Sequence, residues 1–396
     1  MKQPLAGIRV IDISWAVAGP FCAMFLGDMG AEVIKVERPD GGDEIRGWGR
    51  PFIDGEAAWY LAVNRNKKSL TLNLKSEKGK DILFRLIEKS DVFVESFNPS
   101  ALERIGLIYE EVKKYNPKII YCAVSGFGQT GPLKDRPGYD LIVQGMGGIM
   151  SVTGEKGGKP QRVGTSSSDI VAGMIAAFCA ASALYGREKN GKGQFIDVAL
   201  LDGQIALMSP RIMSYLISGE IPRPMGSTDS PITIYQPMPT ADDDIIIGTG
   251  NDQMWARFSK AVGLEYMIDD PRFATNEARS VNKEELMPIL ENELRKKPAK
   301  YWIEKLTENG VPCGPINFLN QVVKEPQVLA RNMIAEVEHP KFGRIKLPGI
   351  PWWLDGESVE IKNHPPILGE HTEEILSTIL GLSENEIKDL KEKKAI

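Results

Sequence analysis

The chain carries few groups of the kind that usually do chemistry. Histidine is the commonest general base and metal ligand, yet there are only three, His339, His364 and His371, all in the last 58 of 396 residues. None has a partner at HExxH or HxxxH spacing and there is no CxxC, so no zinc site is expected. The nucleophile elbow G-x-S-x-G is absent, which argues against a Ser-His-Asp hydrolase. What remains is carboxylate chemistry. Asp169 follows three serines (166–168) and stands before a long apolar run, DIVAGMIAAFCAASALYG. A carboxylate there meets the orphan N–H groups and positive end of a helix. It reads either as a plain N-cap or as an ionised carboxylate placed to attack an activated carbonyl. Gly145, Gly147, Gly148 and Gly164 would let a substrate approach the backbone closely.

Other motifs are weaker. GFGQTG (126–131) matches G-x-G-x-x-G after a strand, but Pro132 and Pro137 follow and leave no helix to receive a pyrophosphate. It reads as a glycine turn, and no NAD site is expected. Arg38 stands at the carboxyl end of a strand, where open α/β sheets bind ligands. NRNKK (64–68), Lys75 and Arg104 add cations. Singly they read as surface charge; together they would suit a polyanion such as coenzyme A. Cys313, between prolines in GVPCGPI, reads as inert, and Cys22, Cys122 and Cys179 as reduced core residues.

These groups must be positioned by a fold, and its pattern is regular. Strands are predicted at 7–14, 31–37, 68–74, 91–96, 118–125 and 193–200. Helices are predicted over Phe21–Met29, after Ser76, after a Ser100–Glu103 capping box, around 139–147, from Asp169, and over Asp202–Leu216. Strands alternating with helices imply βαβ units and an open, largely parallel, Rossmann-like sheet. The pattern divides the chain at 1–217, a Pro/Gly-rich linker (218–231), a different, smaller α+β unit (232–325) and a Pro-rich stretch leading to the end (326–396). The last residues, NEIKDLKEKKAI, read as a solvated helix face.

Composition bounds the function. The chain is 42% hydrophobic and 26% charged, which indicates a folded domain rather than disorder. Its net charge of −5 argues against nucleic acid as a partner. No run of 18 apolar residues occurs, so no membrane span is expected. The N-terminal residues lack a signal-peptide pattern. A cytoplasmic protein is the expectation.

The motifs, in order, resemble the class III coenzyme A-transferase family, which includes formyl-CoA, carnitine and dicarboxylate CoA-transferases. They are VIDISWAVAGPFCAMFLGDMGAEVIKVERPDGGD, NRNKKSLTLNLKSEKG, DVFVESFNPSALERIGL, YCAVSGFGQTGP, RPGYDLIVQGMGG, SDIVAGM, GKGQFIDVALLD and GVPCGPIN. The resemblance implies that Asp169 is the nucleophile, passing through an aspartyl–acyl anhydride and an aspartyl–CoA thioester. It implies CoA contacts at Val17, Ala18, Arg38, Leu72, Asn73, Leu74, Lys75, Phe97, Asn98 and Arg104, and site residues at Tyr139 and Asp140. The substrates implied are an acyl-CoA such as succinyl-CoA and a carboxylic acid, with no metal. A homodimer of interlocked subunits, with the large domain built from both chain ends, is implied too. Formyl-CoA transferase has glutamine where this chain has Val17, and a glycine-rich loop not evident here, which points away from formyl-CoA and oxalate. The α-methylacyl-CoA racemases of the same superfamily use histidine where this chain has Tyr139. Tyrosine, with a reference pKa of about 10, is a poor base at neutral pH. A racemase or a non-catalytic CoA-binding protein are the alternatives.

Overall fold

A computed structural model describes residues 3–228 and 231–396. Met1 and Lys2, and Asp229 and Ser230 of the expected linker, lie outside the described residues. The chain forms two compact units. The first contains 1–150, 162–222 and 326–396; the second contains 151–161 and 223–325. Residues 151–161 therefore group with the second unit, although they lie within the stretch assigned from sequence to the large domain.

The first unit is built on six parallel strands: β1 (Arg9–Asp12), β2 (Glu32–Glu37), β3 (Lys67–Thr71), β4 (Val92–Glu95), β5 (Ile120–Ser125) and β6 (Gln194–Ala199). Their order is 3-2-1-4-5-6, the doubly wound order of dinucleotide-type sheets. Val10 of β1 pairs with Val33 on one side and Val92 on the other. The inner strands are apolar runs because both faces are covered. On one face lie α1 (Ala18–Asp28) and a 24-residue helix, Ser167–Asn190, packed over Val10, Val94 and Cys122. Their close approach depends on Gly173, where a Cβ would fall 2.7 Å from the Ala18 carbonyl oxygen. Helix Ser167–Asn190 is long and apolar enough to cross a membrane, but Ala172, Ala176 and Ala180 are buried against the sheet.

The other face is covered by Glu77–Glu88, capped by Ser76 as expected, and by two C-terminal helices, Thr372–Thr378 and Glu384–Glu392. The C-terminal helix is not merely a solvated face: Ile387 and Leu390 are buried in this cluster, one turn apart. Two further expectations change. The helix at Pro99–Ile105 is capped by Asn98, whose side chain accepts from Ala101 N at 2.8 Å, because Pro99 occupies the first helical position. The helix expected over Asp202–Leu216 is two, Leu200–Leu207 and Ser209–Ser218. Pro210 has no N–H to continue the first one, so the ladder restarts with it.

The second unit has a three-stranded antiparallel sheet, Tyr235–Pro239, Asp244–Gly248 and Cys313–Pro315, with the middle strand central. Helices Asp252–Val262, Lys283–Leu294 and Ala299–Glu308 bury Trp255, Phe258, Leu290 and Trp302 against it.

A set of buried charges joins Asp12 at the carboxyl end of β1 to Lys35 in β2 and to Lys67, the first residue of β3. Asp12, Lys35 and Lys67 are no more than 1% exposed. Lys67 Nζ donates to Asp12 Oδ2 (2.9 Å), the Pro20 carbonyl (2.8 Å) and Asn64 Oδ1 (2.9 Å). Lys35 Nζ donates to Asp43 Oδ2 (2.9 Å) and the Ser14 carbonyl (3.0 Å). Lys67 thus has an acceptor for each of its three protons, and Lys35 for two of its three. Lys67→Met is expected to destabilise the protein by about 3–5 kcal/mol, because it leaves Asp12 buried without its partner. A lower urea midpoint with an unchanged slope would be the sign of it.

Candidate active site

A cavity of about 390 Å³ opens at the carboxyl ends of β1, β4 and β5. The strand order reverses between β1 and β4, which is the topological switch point where open α/β sheets bind ligands. The cavity is walled by the turn after β1 (Trp15–Ala18), the turn after β4 (Ser96–Asn98), the Arg136–Leu141 segment and the start of helix Ser167–Asn190.

The turn after β1 is held tightly. Ala16 has φ of 63°, a conformation that a non-glycine residue adopts at some cost. Trp15 N donates to Ser96 Oγ at 2.8 Å and Ala16 N to Asp43 Oδ1 at 3.1 Å. Asp43 is in turn fixed by Lys35. Glu95 supports the next wall: its Oε2 accepts from Phe97 N at 2.7 Å. Burial pushes the Glu95 carboxyl up to about 8, against the pull of that hydrogen bond. The Gly126–Gly131 segment is a turn with no helix behind it, as expected. Gly126 and Gly138 touch backbone to backbone, with a Cβ on Gly126 only 2.8 Å from Gly138 Cα, which folds the loop back over β5.

Asp169 lines the cavity, but it is not the N-cap. Ser166 holds that place, and Asp169 is the third helical residue. Asp140 takes over part of the capping: its Oδ1 accepts from Ser168 N at 2.9 Å and its Oδ2 from Gln144 Nε2 at 2.6 Å. Gln144 also holds the chain entering the helix, donating to the Thr165 carbonyl (3.1 Å) and accepting from Val163 N (2.9 Å). Ser168 Oγ donates to Gln204 Oε1 at 2.7 Å. Asp140 is thus satisfied. Asp169 accepts no side-chain hydrogen bond among the described residues. Burial, with the neighbouring Asp140 adding repulsion, pushes its carboxyl up to about 7. The sequence suggested a carboxylate held ionised by the helix dipole; desolvation outweighs the dipole here. The result is a half-buried carboxyl on the cavity wall whose charged form is disfavoured relative to a solvated one.

Of the residues singled out in the sequence, Val17, Ala18, Phe97, Asn98, Tyr139, Asp140 and Asp169 line this one cavity. Arg38, Leu72, Asn73, Leu74, Lys75 and Arg104 do not. Arg38 lies 5.1 Å over the ring of Trp15 and donates to the Gly42 carbonyl. Leu72 is core, with Leu74 packed against the same cluster. Asn73 ties the backbone to the C-terminus through Asn73 N and the Ala395 carbonyl, 2.8 Å. Lys75 and Arg104 are exposed. Two cations of NRNKK are unavailable to any ligand: Lys67 is used by Asp12, and Arg65 pairs with buried Asp28 at 2.6 Å. Trp15, Trp48, Lys134, Arg136 and Arg162 line the cavity without having stood out in the sequence. Among the described residues no group of three or more His, Cys, Asp or Glu is arranged to hold a metal ion.

A doubly wound sheet with a cavity and a perturbed carboxylate at its switch point has the features of an enzyme site. The chain belongs to CoA-transferase family III, whose model matches residues 5–372, and it is a class III CoA-transferase. It is 40% identical over 388 residues to succinyl-CoA:glutarate CoA-transferase of Homo sapiens, covering 98% of this chain and 89% of that protein. It is 41% identical over 386 residues to succinate–glutarate CoA-transferase of Agrobacterium fabrum, covering 96% of each. A CAIB/BAIF family protein from Brucella suis superposes with a TM-score of 0.84 at 37% identity, over 96% of this chain and all of that one.

The raised Asp169 pKa has a stability consequence. The folded state holds its proton up to about pH 7, whereas an unfolded carboxyl loses it near 4. Stability contributed by the neutral form is therefore lost as pH rises from about 4 through 7. Asp169→Asn, which is never charged, is expected to be more stable than the parent at pH 8, by on the order of 2 kcal/mol. The difference should shrink as pH falls towards 4, as read by thermal unfolding of both proteins across that range.

Proposed function

We propose that the protein transfers coenzyme A from succinyl-CoA to a short dicarboxylic acid such as glutarate, with Asp169 as the nucleophile. The observation that carries this is the half-buried Asp169 carboxyl, without a hydrogen-bond partner among the described residues, lining the switch-point cavity. The substrates follow from the printed activities of the relatives at about 40% identity.

An Asp169 oxygen attacks the thioester carbonyl of succinyl-CoA; the C–S bond breaks and CoA thiolate leaves, giving a mixed anhydride. The thiolate attacks the Asp169 carbonyl of that anhydride, forms a new C–S bond and expels succinate. The acceptor carboxylate then attacks the aspartyl thioester and releases the thiolate again. The thiolate attacks the acceptor carbonyl of the second anhydride, which yields the new acyl-CoA and restores the Asp169 carboxylate. No net proton transfer is required, in agreement with a cavity lined by no histidine. Each tetrahedral intermediate puts negative charge on a carbonyl oxygen. The first residue of α1, Ala18, lines the cavity and supplies a backbone N–H without an intrahelical partner for such a charge. The Trp15 and Trp48 rings bordering the cavity limit water, which would hydrolyse the activated aspartate. Tyr139 stands on the rim, 59% exposed and 6.3 Å from Trp48 in ring-to-ring distance. Its place suits a wall better than a base. We propose further that the subunits pair as a homodimer.

Intact-protein mass spectrometry after incubation with succinyl-CoA tests the nucleophile. A CoA-sized adduct that hydroxylamine removes is expected on the parent and on no Asp169→Ala protein. Transfer by Asp169→Ala at a rate near the parent's would dismiss the assignment. The pH dependence gives a second test. Only ionised Asp169 attacks, so the rate of adduct formation should rise with pH around a midpoint of about 7. Asp140→Asn removes the like charge beside Asp169 and should move that midpoint to lower pH.

A further inference from the structure

Three cationic side chains line the cavity, Lys134, Arg136 and Arg162. Their circumstances differ. Lys134 and Arg136 belong to the loop that Gly126 and Gly138 fold over β5, and Arg136 lies 5.8 Å over the Phe127 ring. Arg162 belongs to the segment that carries the nucleophile. The next residue, Val163, is fixed through its N–H to Gln144 Oε1 at 2.9 Å, and Thr165 through its carbonyl to Gln144 Nε2. The same Gln144 holds Asp140, which in turn holds the helix at Ser168. The backbone just after Arg162 and the helix turn bearing Asp169 are therefore held by one set of bonds, from which the exposed Arg162 side chain extends. The Arg162 guanidinium itself has no hydrogen bond, ion pair or ring contact among the described residues.

A dicarboxylate brings two charges. One is consumed in the reaction with the Asp169 thioester. The other enters a cavity already lined by three carboxylates, Glu44, Asp140 and Asp169, and it is costly to desolvate without a counter-ion. Asp140 offers nothing to it, since both its oxygens are engaged and it repels anions. A planar guanidinium binds a carboxylate through two parallel hydrogen bonds and is weakly hydrated. From this we infer that Arg162 is the specificity-determining residue that receives the remote, unreacted carboxylate of a short dicarboxylic acid. It serves the acceptor and the succinyl group of the donor alike. This assignment rests on the function proposed above.

The test compares acceptors of equal chain length, glutarate and pentanoate, on the parent, Arg162→Gln, Arg162→Lys and Lys134→Gln, with acetyl-CoA as donor. Loss of a charged hydrogen-bond partner should lower kcat/KM for glutarate relative to pentanoate by roughly 10–100-fold in Arg162→Gln. Most of the change should lie in KM, and lysine should restore part of it by supplying charge without the fork. Lys134→Gln should leave the ratio within about threefold of the parent. Arg162→Gln should likewise form the hydroxylamine-sensitive adduct more slowly from succinyl-CoA than from butanoyl-CoA, relative to the parent. An unchanged glutarate-to-pentanoate ratio in Arg162→Gln, equal losses for both acceptors, or a ratio that moves in Lys134→Gln instead would each overturn the assignment. If the parent forms no adduct from any of these donors, the proposed function itself fails; the adduct with an unchanged ratio removes Arg162 alone.

Discussion

The site depends on ammonium groups that never see solvent. Lys67 joins Asp12 at the end of the central strand to the Pro20 carbonyl in α1, and Lys35 joins Asp43 to the Ser14 carbonyl. Between these anchors runs the turn that lines the cavity. A well-packed apolar cluster in the same place would be as stable or more so. What the ion pairs add is direction: each fixes a carbonyl or a carboxylate at a stated spot, and Asp43 passes that on to Ala16 N. A residue at φ of 63° without a glycine's freedom persists only when its surroundings leave it no other choice. The bonds from Asp43 and Ser96 remove the choice.

The same reasoning separates two aspartates that the sequence shows as a pair of similar groups. Asp140 receives an N–H and an amide and becomes part of the scaffold. Asp169 receives neither among the described residues, and it lines the cavity. Asp140 accepts from Ser168 N from outside the helix, so Asp169 is left free of capping duty. The arrangement is unfavourable for folding, since a desolvated carboxylate beside another one is destabilising. Sites that must react hold such strain, and the buried cluster below supplies the rigidity to maintain it.

Much of the fold was legible because its signals are local. Apolar runs bounded by turn residues marked the six strands, and their alternation with helices marked the parallel sheet. Asp169 stood out for its place before an apolar run. The errors share a cause. Helix starts were assigned by residue type, whereas the caps depend on which neighbour reaches which N–H. Hence Asn98 caps in place of Ser100, and Ser166 with Asp140 in place of Asp169. The break at Pro210 was readable from the missing N–H, but the surrounding apolar periodicity masked it.

Cations show most clearly what a linear sequence leaves out. A positive residue near a strand end looks the same whether its charge faces inward or outward. Arg65 and Lys67 sit in the most basic stretch of the first unit, and both are consumed by buried carboxylates. Arg162 is a lone arginine in a Gly- and Ser-rich loop, with nothing in its neighbours to mark it, and its guanidinium has no partner among the described residues. Charge available to a ligand is what remains after internal pairing. That remainder is set by long-range contacts, such as the one between Lys67 and Asp12, which are 55 residues apart. Counting basic residues therefore predicts ligand sites poorly in a protein that builds its framework from ion pairs. The unpaired ones, found only after the framework is known, are where specificity can reside.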